Sequence, residues 1–233
     1  MQTTFTPEQM ADPGVSIAND ILRKCVHCGF CTATCPTYIL TGNELDSPRG
    51  RIYLFREMLE SGGPPSISTV RHTDRCLSCL SCMTTCPASV DYMHLVDETR
   101  NRIEKTYTRP FIDKLLRKLL ISILPNPRIL RLTLLGARLI KPLASLMPGR
   151  LRVLMHMAPT RLPAASIMDH PQTFPAEGTR KMRVILMTGC AQRVLRPSIN
   201  EATIRLLTRH GCEVIVPIGS GCCGALAHHM GKE

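Results

Sequence analysis

Over the first half of the chain, apolar positions recur with helical periodicity and are broken by two dense cysteine runs. In GRIYLFREMLESG (residues 50–62), Ile52, Leu54, Phe55, Met58 and Leu59 share one helix face. ANDILRKC before the first run and VDYMHLVDETRNRIEK after the second have the same periodicity, so the cysteines are expected in a mainly helical setting. From Arg109 to Arg152, Leu and Ile interleave with Lys and Arg, and Pro110, Pro125, Pro127, Pro142 and Pro148 cut the stretch into short amphipathic helices.

The pattern changes after the Pro-containing segment PAASIMDHPQTFPAEGTR, which reads as a linker. RVILMT is a buried strand, PSINEATIRLLTRHG a helix opened by Pro197 and Ser198 and stopped by Gly211, and EVIVPI a second strand. A right-handed crossover makes the two strands parallel neighbours. Cys190 and the GSGCCG turn then emerge at the same carboxyl-terminal edge, where open α/β sheets bind ligands. Cys190, Cys222 and Cys223 are therefore a candidate further metal site, with Gly221 and Gly224 allowing close backbone approach. The competing reading makes these cysteines inert packing residues. Cys212 belongs to the opposite edge as a small buried residue, and His228 and His229 are read as surface residues. One βαβ unit leaves a sheet face uncovered, and the chain stops as a new helix begins; a truncated fragment is favoured over a sheet completed by a partner.

Composition narrows the chemistry. The 233 residues suit two units, with Trp absent and cores left to Leu, Ile, Val, Met and Ala. MQTTFTPEQMADPG lacks the basic end and apolar run of a signal peptide, so a reducing compartment is expected. There, 12 cysteines in clusters read as metal ligands rather than disulfides. Much of the net charge of +11 lies between Arg109 and Arg152, where Asp113 is the only acid. Basic residues interrupt every apolar run well before about 18 residues, too soon for a membrane span. The segment suits docking to an acidic partner or an anionic membrane surface equally. It lacks the interleaved aromatics of a nucleic-acid binder, so nucleic acid is not expected.

Cys25, Cys28, Cys31 and Cys35 with Pro36 spell C-x2-C-x2-C-x3-C-P, and Cys76, Cys79, Cys82 and Cys86 with Pro87 repeat it. Three thiolates at this spacing offer one sulfur to each of three irons of a cubane. Structural zinc takes paired CxxC knuckles instead and stays the remote alternative, with redox dithiols remoter still. His27, inside the first run, is a hydrogen-bond donor or simply exposed rather than a ligand.

The duplicated run followed by C-x31-CCG resembles the iron-sulfur subunits of the glycolate oxidase and heterodisulfide-reductase-like family, and KCVHCGFCTATCPTY, ELDSPRGRIYL and GCAQ resemble its glycolate oxidase members most. The resemblance implies an α + α/β chain in three parts. These are a helical ferredoxin domain with two 4Fe-4S clusters (1–108), a basic amphipathic helical linker (109–180) and a partial α/β cysteine-rich CCG domain (181–233). It implies that Cys25, Cys28, Cys31 and Cys86 hold one cluster and Cys76, Cys79, Cys82 and Cys35 the other, the fourth cysteine of each run crossing over. A further cluster at the CCG cysteines is implied only if that domain is completed, since family members run longer.

By the same resemblance, flavoprotein subunits oxidise glycolate to glyoxylate, and this chain carries electrons toward the quinone pool without a substrate site of its own. It would lie in the cytoplasm, peripheral on the inner face of the membrane. The alternatives within the family are heterodisulfide-reductase-like, lactate or glycerol-3-phosphate dehydrogenase complexes, including catalysis at Cys190, Cys222 and Cys223 as in disulfide-reducing relatives. Outside it, a zinc-bearing nucleic-acid module is the remote third option.

Overall fold

A computed structural model describes residues 1–147 and 149–232; Pro148, one of the prolines expected to divide the middle segment, and the terminal Glu233 lie outside the described residues. The chain separates into two units. One comprises Met1–Pro110 together with the segment from Ala225 onward, and the other Phe111–Gly224.

Local sequence starts the helices of the first unit. Asp12, Ser47 and Asp91 each cap a helix, accepting hydrogen bonds from the N–H groups of Gly14, Gly50 and His94, and Pro13 and Pro48 occupy first-turn positions where a missing N–H costs nothing. The helices Pro13–Lys24, Pro48–Ser61 and Tyr92–Thr106 then turn their apolar faces to one core. Leu22, Phe55, Leu59, Leu95, Val96 and Ile103 are buried there, and each large side chain contributes about 1.5–3 kcal/mol on leaving water. The expected face of the middle helix is seen in full, with Ile52, Leu54, Phe55, Met58 and Leu59 all buried.

The second unit holds a small sheet. Strands β1 (Gln172–Phe174), β2 (Met182–Ile185) and β3 (Cys212–Val216) lie in the order β1-β3-β2, with β2 parallel and β1 antiparallel to β3. Val184 pairs with Val214 across the parallel ladder, and the crossover helix Ser198–Arg209 buries Ile204 against Val214 and Cys212. Cys212 is thus a core residue, as its position before the second strand suggested. Pro217, which lacks an N–H, follows the last residue of β3. β1 was not expected: the stretch read as linker supplies it, because β3 has a second edge whose backbone groups need partners. Ile185 and Met187 are exposed on the side of β2 opposite Val184, so that sheet face is uncovered.

The second unit also contains the helices Phe111–Ile123, Pro127–Ile140 and Gly149–Met157. Among the described residues no helix is long and apolar enough to cross a membrane. Their apolar positions are largely uncovered: Phe111, Leu132 and Leu139 are 78%, 70% and 82% exposed.

One close approach can be tested directly. A Cβ on Gly50 would meet the Glu44 carbonyl oxygen at 2.0 Å, whereas one on Gly63 would meet nothing within 4 Å. Gly50→Ala is expected to cost about 1–3 kcal/mol and lower the melting temperature. Gly63→Ala should leave it unchanged or slightly raised; equal melting curves for the two variants would contradict this packing.

Candidate iron-sulfur site

The two cysteine runs share a backbone signature in their opening loops. His27 and Ser78 have φ of 54° and 51°, and Gly29 and Leu80 have φ of 88° and 57°, at matching places in the two loops. Alternation into the left-handed region turns successive N–H groups toward one side, the concavity that binds anionic sulfur. Glycine takes that conformation freely, whereas Leu80 holds it at a cost of about 1–2 kcal/mol. The threonines before the fourth cysteines also correspond. Thr85 Oγ1 donates to Thr34 Oγ1 at 3.4 Å, and Thr34 Oγ1 in turn reaches the Ser81 carbonyl at 3.4 Å, so the runs meet face to face.

Two cavities result. One is lined by Cys25, Cys28, Cys31 and Cys86 together with Cys82, and the other by Cys76, Cys79, Cys82 and Cys35. Each draws its cysteines from both runs, and Cys82 and Tyr92 line both. Both are narrow and partly open to solvent, with cavity volumes of about 30 and 20 Å³. Cys25, Cys35 and Cys82 are buried, while Cys28 and Cys79 reach the surface.

The donor set fits a cationic cluster and not bare thiolates. Burial, reinforced by the neighbouring Cys76, Cys31, Cys79 and Cys35, pushes the Cys82 thiol up to about 12. Burial also raises Cys31. Crowded sulfurs can all ionise only around a compensating positive charge, so ligation and deprotonation are linked. Among the described residues no three cysteine sulfurs lie within 4.8 Å of one another. A tetrahedral zinc with bonds of about 2.3 Å would need sulfurs closer than that.

Hydrogen-bond donors surround the sulfurs. Tyr92 Oη lies 3.8 Å from Cys76 Sγ and the Val90 N–H 3.5 Å from Cys86 Sγ, while Thr37 Oγ1, 3.2 Å from Cys35 Sγ, donates to the Asp46 carbonyl at 2.8 Å. Burial, together with Cys76, holds the Tyr92 phenol well above its ordinary value, so it stays a donor. Arg100 clamps the second loop by donating to the Cys76 carbonyl at 2.7 Å and to Ser78 Oγ. His27 stacks on Tyr53 with ring centroids 4.3 Å apart and stands 3.9 Å from Cys25 Sγ.

Sequence reasoning missed a charged network beside Cys35. Arg51 is 1% exposed; its Nη1 donates toward Cys35 Sγ at 3.9 Å, its Nε to the His72 carbonyl at 2.7 Å and its Nη2 to Thr37 Oγ1 at 3.1 Å. Asp46, fully buried, pairs with Arg51 at 3.6 Å and accepts from His72 Nδ1 at 2.7 Å and Arg75 Nη1 at 2.8 Å. The signal was ELDSPRGR, which was legible as a resemblance but not as a physical pattern, since its partners His72 and Arg75 lie more than twenty positions away.

At the other candidate site, Cys190 and Cys222 are half-buried and Cys223 is exposed. The Gly224 N–H donates to Cys222 Sγ at 3.4 Å, and the three sulfurs are not drawn within 4.8 Å of one another. His228 and His229 are exposed as expected, but both contact Asp97, at 3.2 and 3.4 Å.

Burial alone would raise the Asp46 carboxyl, but hydrogen bonds from His72 and Arg75 outweigh it and hold the group below its ordinary 3.8. The stabilisation from its charge is therefore present at pH values above 3.8 and lost as pH falls through the lower folded value. Asp46→Asn at neutral pH leaves Arg51 buried without its counter-charge and should cost about 3–5 kcal/mol, read as a lower urea midpoint. An unchanged midpoint would mean that the network carries no stability.

Residues 24–90 match the 4Fe-4S dicluster domain and residues 184–233 the cysteine-rich domain. Over its full length the chain is 41% identical to the glycolate oxidase iron-sulfur subunit of Escherichia coli K12, covering 54% of that protein. It is 31% identical over 226 residues to the probable glycolate oxidase iron-sulfur subunit of Bacillus subtilis, covering 91% of this chain and 51% of that one. Lactate utilization protein A of B. subtilis is 40% identical over 50 residues, 22% of this chain and 21% of its own. The chain thus spans about half the length of the two glycolate oxidase relatives. No solved structure matches it.

Proposed function

From a chain that carries a 4Fe-4S dicluster domain ahead of a cysteine-rich domain and is similar throughout its length to glycolate oxidase iron-sulfur subunits, we propose an electron-transfer subunit of a flavin-dependent glycolate dehydrogenase complex. The observation that carries this reading is the pair of cysteine-walled cavities sharing Cys82 and Tyr92. Adjacent redox groups held at a fixed short separation are what a wire requires.

In this reading Cys25, Cys28, Cys31 and Cys86 hold one cluster and Cys35, Cys76, Cys79 and Cys82 the other. Each cluster, when bound, supplies one-electron transfer. The chain's own residues set the conditions. Tyr92 and the Val90 amide donate to sulfur and favour the more negative state. Arg51 brings a fixed positive charge to Cys35 with the same sign of effect. Phe55, packed 6.1 Å from the Tyr92 ring, helps keep water from that side. Oxidation of the hydroxyacid at the flavin of a partner subunit releases two electrons, which pass through this subunit one at a time toward quinone.

Residues 1–108 then form the wire, 109–180 a basic connection from which β1 joins the sheet, and 181–233 a cysteine-rich part in which Cys190, Cys222 and Cys223 are a candidate site for a further cluster. The exposed leucines of the Phe111–Ile123 and Pro127–Ile140 helices, set among Lys114, Lys118, Arg128 and Arg138, suit peripheral contact with the anionic inner face of a membrane.

Anaerobically purified protein should contain about eight irons and eight acid-labile sulfides per chain, from two clusters of four each. After dithionite reduction it should give the magnetically coupled resonance signal of neighbouring clusters. Zinc without sulfide would overturn the reading, and a value near twelve would add a third cluster.

A further inference from the structure

One cluster of metal-ligating side chains in the first unit lies outside the cysteine runs. Asp97 stands on the Tyr92–Thr106 helix, and His228 and His229 end the short helix Ala225–His229, which belongs to the same unit. His228 Nε2 is 3.2 Å from Asp97 Oδ2, and His229 Nδ1 is 3.4 Å from Asp97 Oδ1. One ligand atom from each of the three residues lies within 4.8 Å of the other two. Adjacent positions on a helix point about 100° apart and do not ordinarily face a common neighbour. Here the rings converge because His228 reaches with its far nitrogen and His229 with its near one, their centroids 5.6 Å apart.

The distances separate ordinary hydrogen bonds from a shared metal. A charged imidazole closes on a carboxylate at about 2.7–2.9 Å, and two other pairs in the chain do so, His72 with Asp46 and His94 with Asp91, both at 2.7 Å. Neither contact at Asp97 closes that far. Neighbouring ligands on a tetrahedral ion with bonds of about 2.0–2.1 Å stand about 3.3–3.4 Å apart, close to the separations found. Packing holds this segment independently of the three side chains. Gly231 is buried with φ of 79°, and a Cβ there would collide with the Arg100 carbonyl oxygen, while Lys232 Nζ lies 3.6 Å from Glu104 Oε1. Arg100, 3.9 Å from Asp97 Oδ1, spends its donors on the Cys76 carbonyl and Ser78 Oγ. Its charge weakens a cation at Asp97 without occupying the carboxylate's lone pairs.

We propose that Asp97, His228 and His229 bind a zinc ion, with water at the fourth position. Two imidazoles and one carboxylate are a donor set that zinc takes in its open, three-ligand sites, whereas calcium and magnesium take oxygen shells. Both histidines are exposed, which gives the ion a path of entry. The ion ties the segment after the CCG turn to the helix whose Tyr92 and Arg100 reach Cys76. The site uses none of the twelve cysteines, and the inference stands whether or not the electron-transfer reading does.

The test titrates zinc into the anaerobically purified full chain by calorimetry and reads the zinc X-ray absorption spectrum of the loaded protein. The spectrum should show imidazole and carboxylate neighbours at about 2.0–2.2 Å. Asp97→Asn, His228→Ala and His229→Ala should each weaken binding at least tenfold, while iron and acid-labile sulfide contents stay unchanged. The histidines are exposed, so their replacements remain decisive if Asp97→Asn does not fold. A shell of sulfur alone at about 2.3 Å would place the zinc on cysteines. That result, an unchanged affinity in either histidine variant, or no zinc bound at micromolar concentration would each overturn the proposal.

Discussion

Neither cysteine run can build a cavity alone, and the rest of the first unit follows from that constraint. Each cavity takes its walls from both runs, and Cys82 and Tyr92 stand where the two meet. The intervening residues must therefore fold the chain back on itself. The Pro48–Ser61 helix does so by burying Phe55 and Leu59 against Leu22 and Leu95 from the flanking helices. Hydrophobic burial, which has no direction of its own, is converted into a fixed separation between sulfurs because the packed helices are rigid.

Burying thiols side by side opposes their ionisation, and the protein answers with oriented donors. Tyr92, Val90 and Arg51 all reach sulfur. Arg51 can occupy the interior because Asp46 neutralises it, and Asp46 is in turn held by His72 and Arg75. A buried pair of this kind is expensive unless every remaining donor and acceptor is satisfied. Here the guanidinium also engages the His72 carbonyl and Thr37, so the network links the ELDSPRGR turn, the Ile67–Asp74 helix and a cysteine in one unit.

The second unit has the opposite character. Its sheet is covered on one face by the Ser198–Arg209 helix, and its other face and the leucines of the Pro127–Ile140 helix remain in water. Parallel strands are normally buried on both sides. Apolar surface of this extent marks a candidate contact face.

Much of this was legible in the chain. The doubled C-x2-C-x2-C-x3-C-P run implied iron-sulfur chemistry through spacing alone, because loops that short leave the sulfurs little freedom. The apolar face of residues 52–59 and the parallel βαβ strands followed from periodicities of 3.6 and 2. The sequence did not show β1, whose three residues pair with β3 only through backbone groups that every residue shares. Nor did it show Arg51 beside Cys35, or Asp169 paired with Asn200 across 31 positions. Local spacing determines what a covalently close set of side chains can bind. Which charge lies next to which sulfur, and which amide pairs with which carboxylate, depends on contacts between remote segments, and those exist only once the chain has packed.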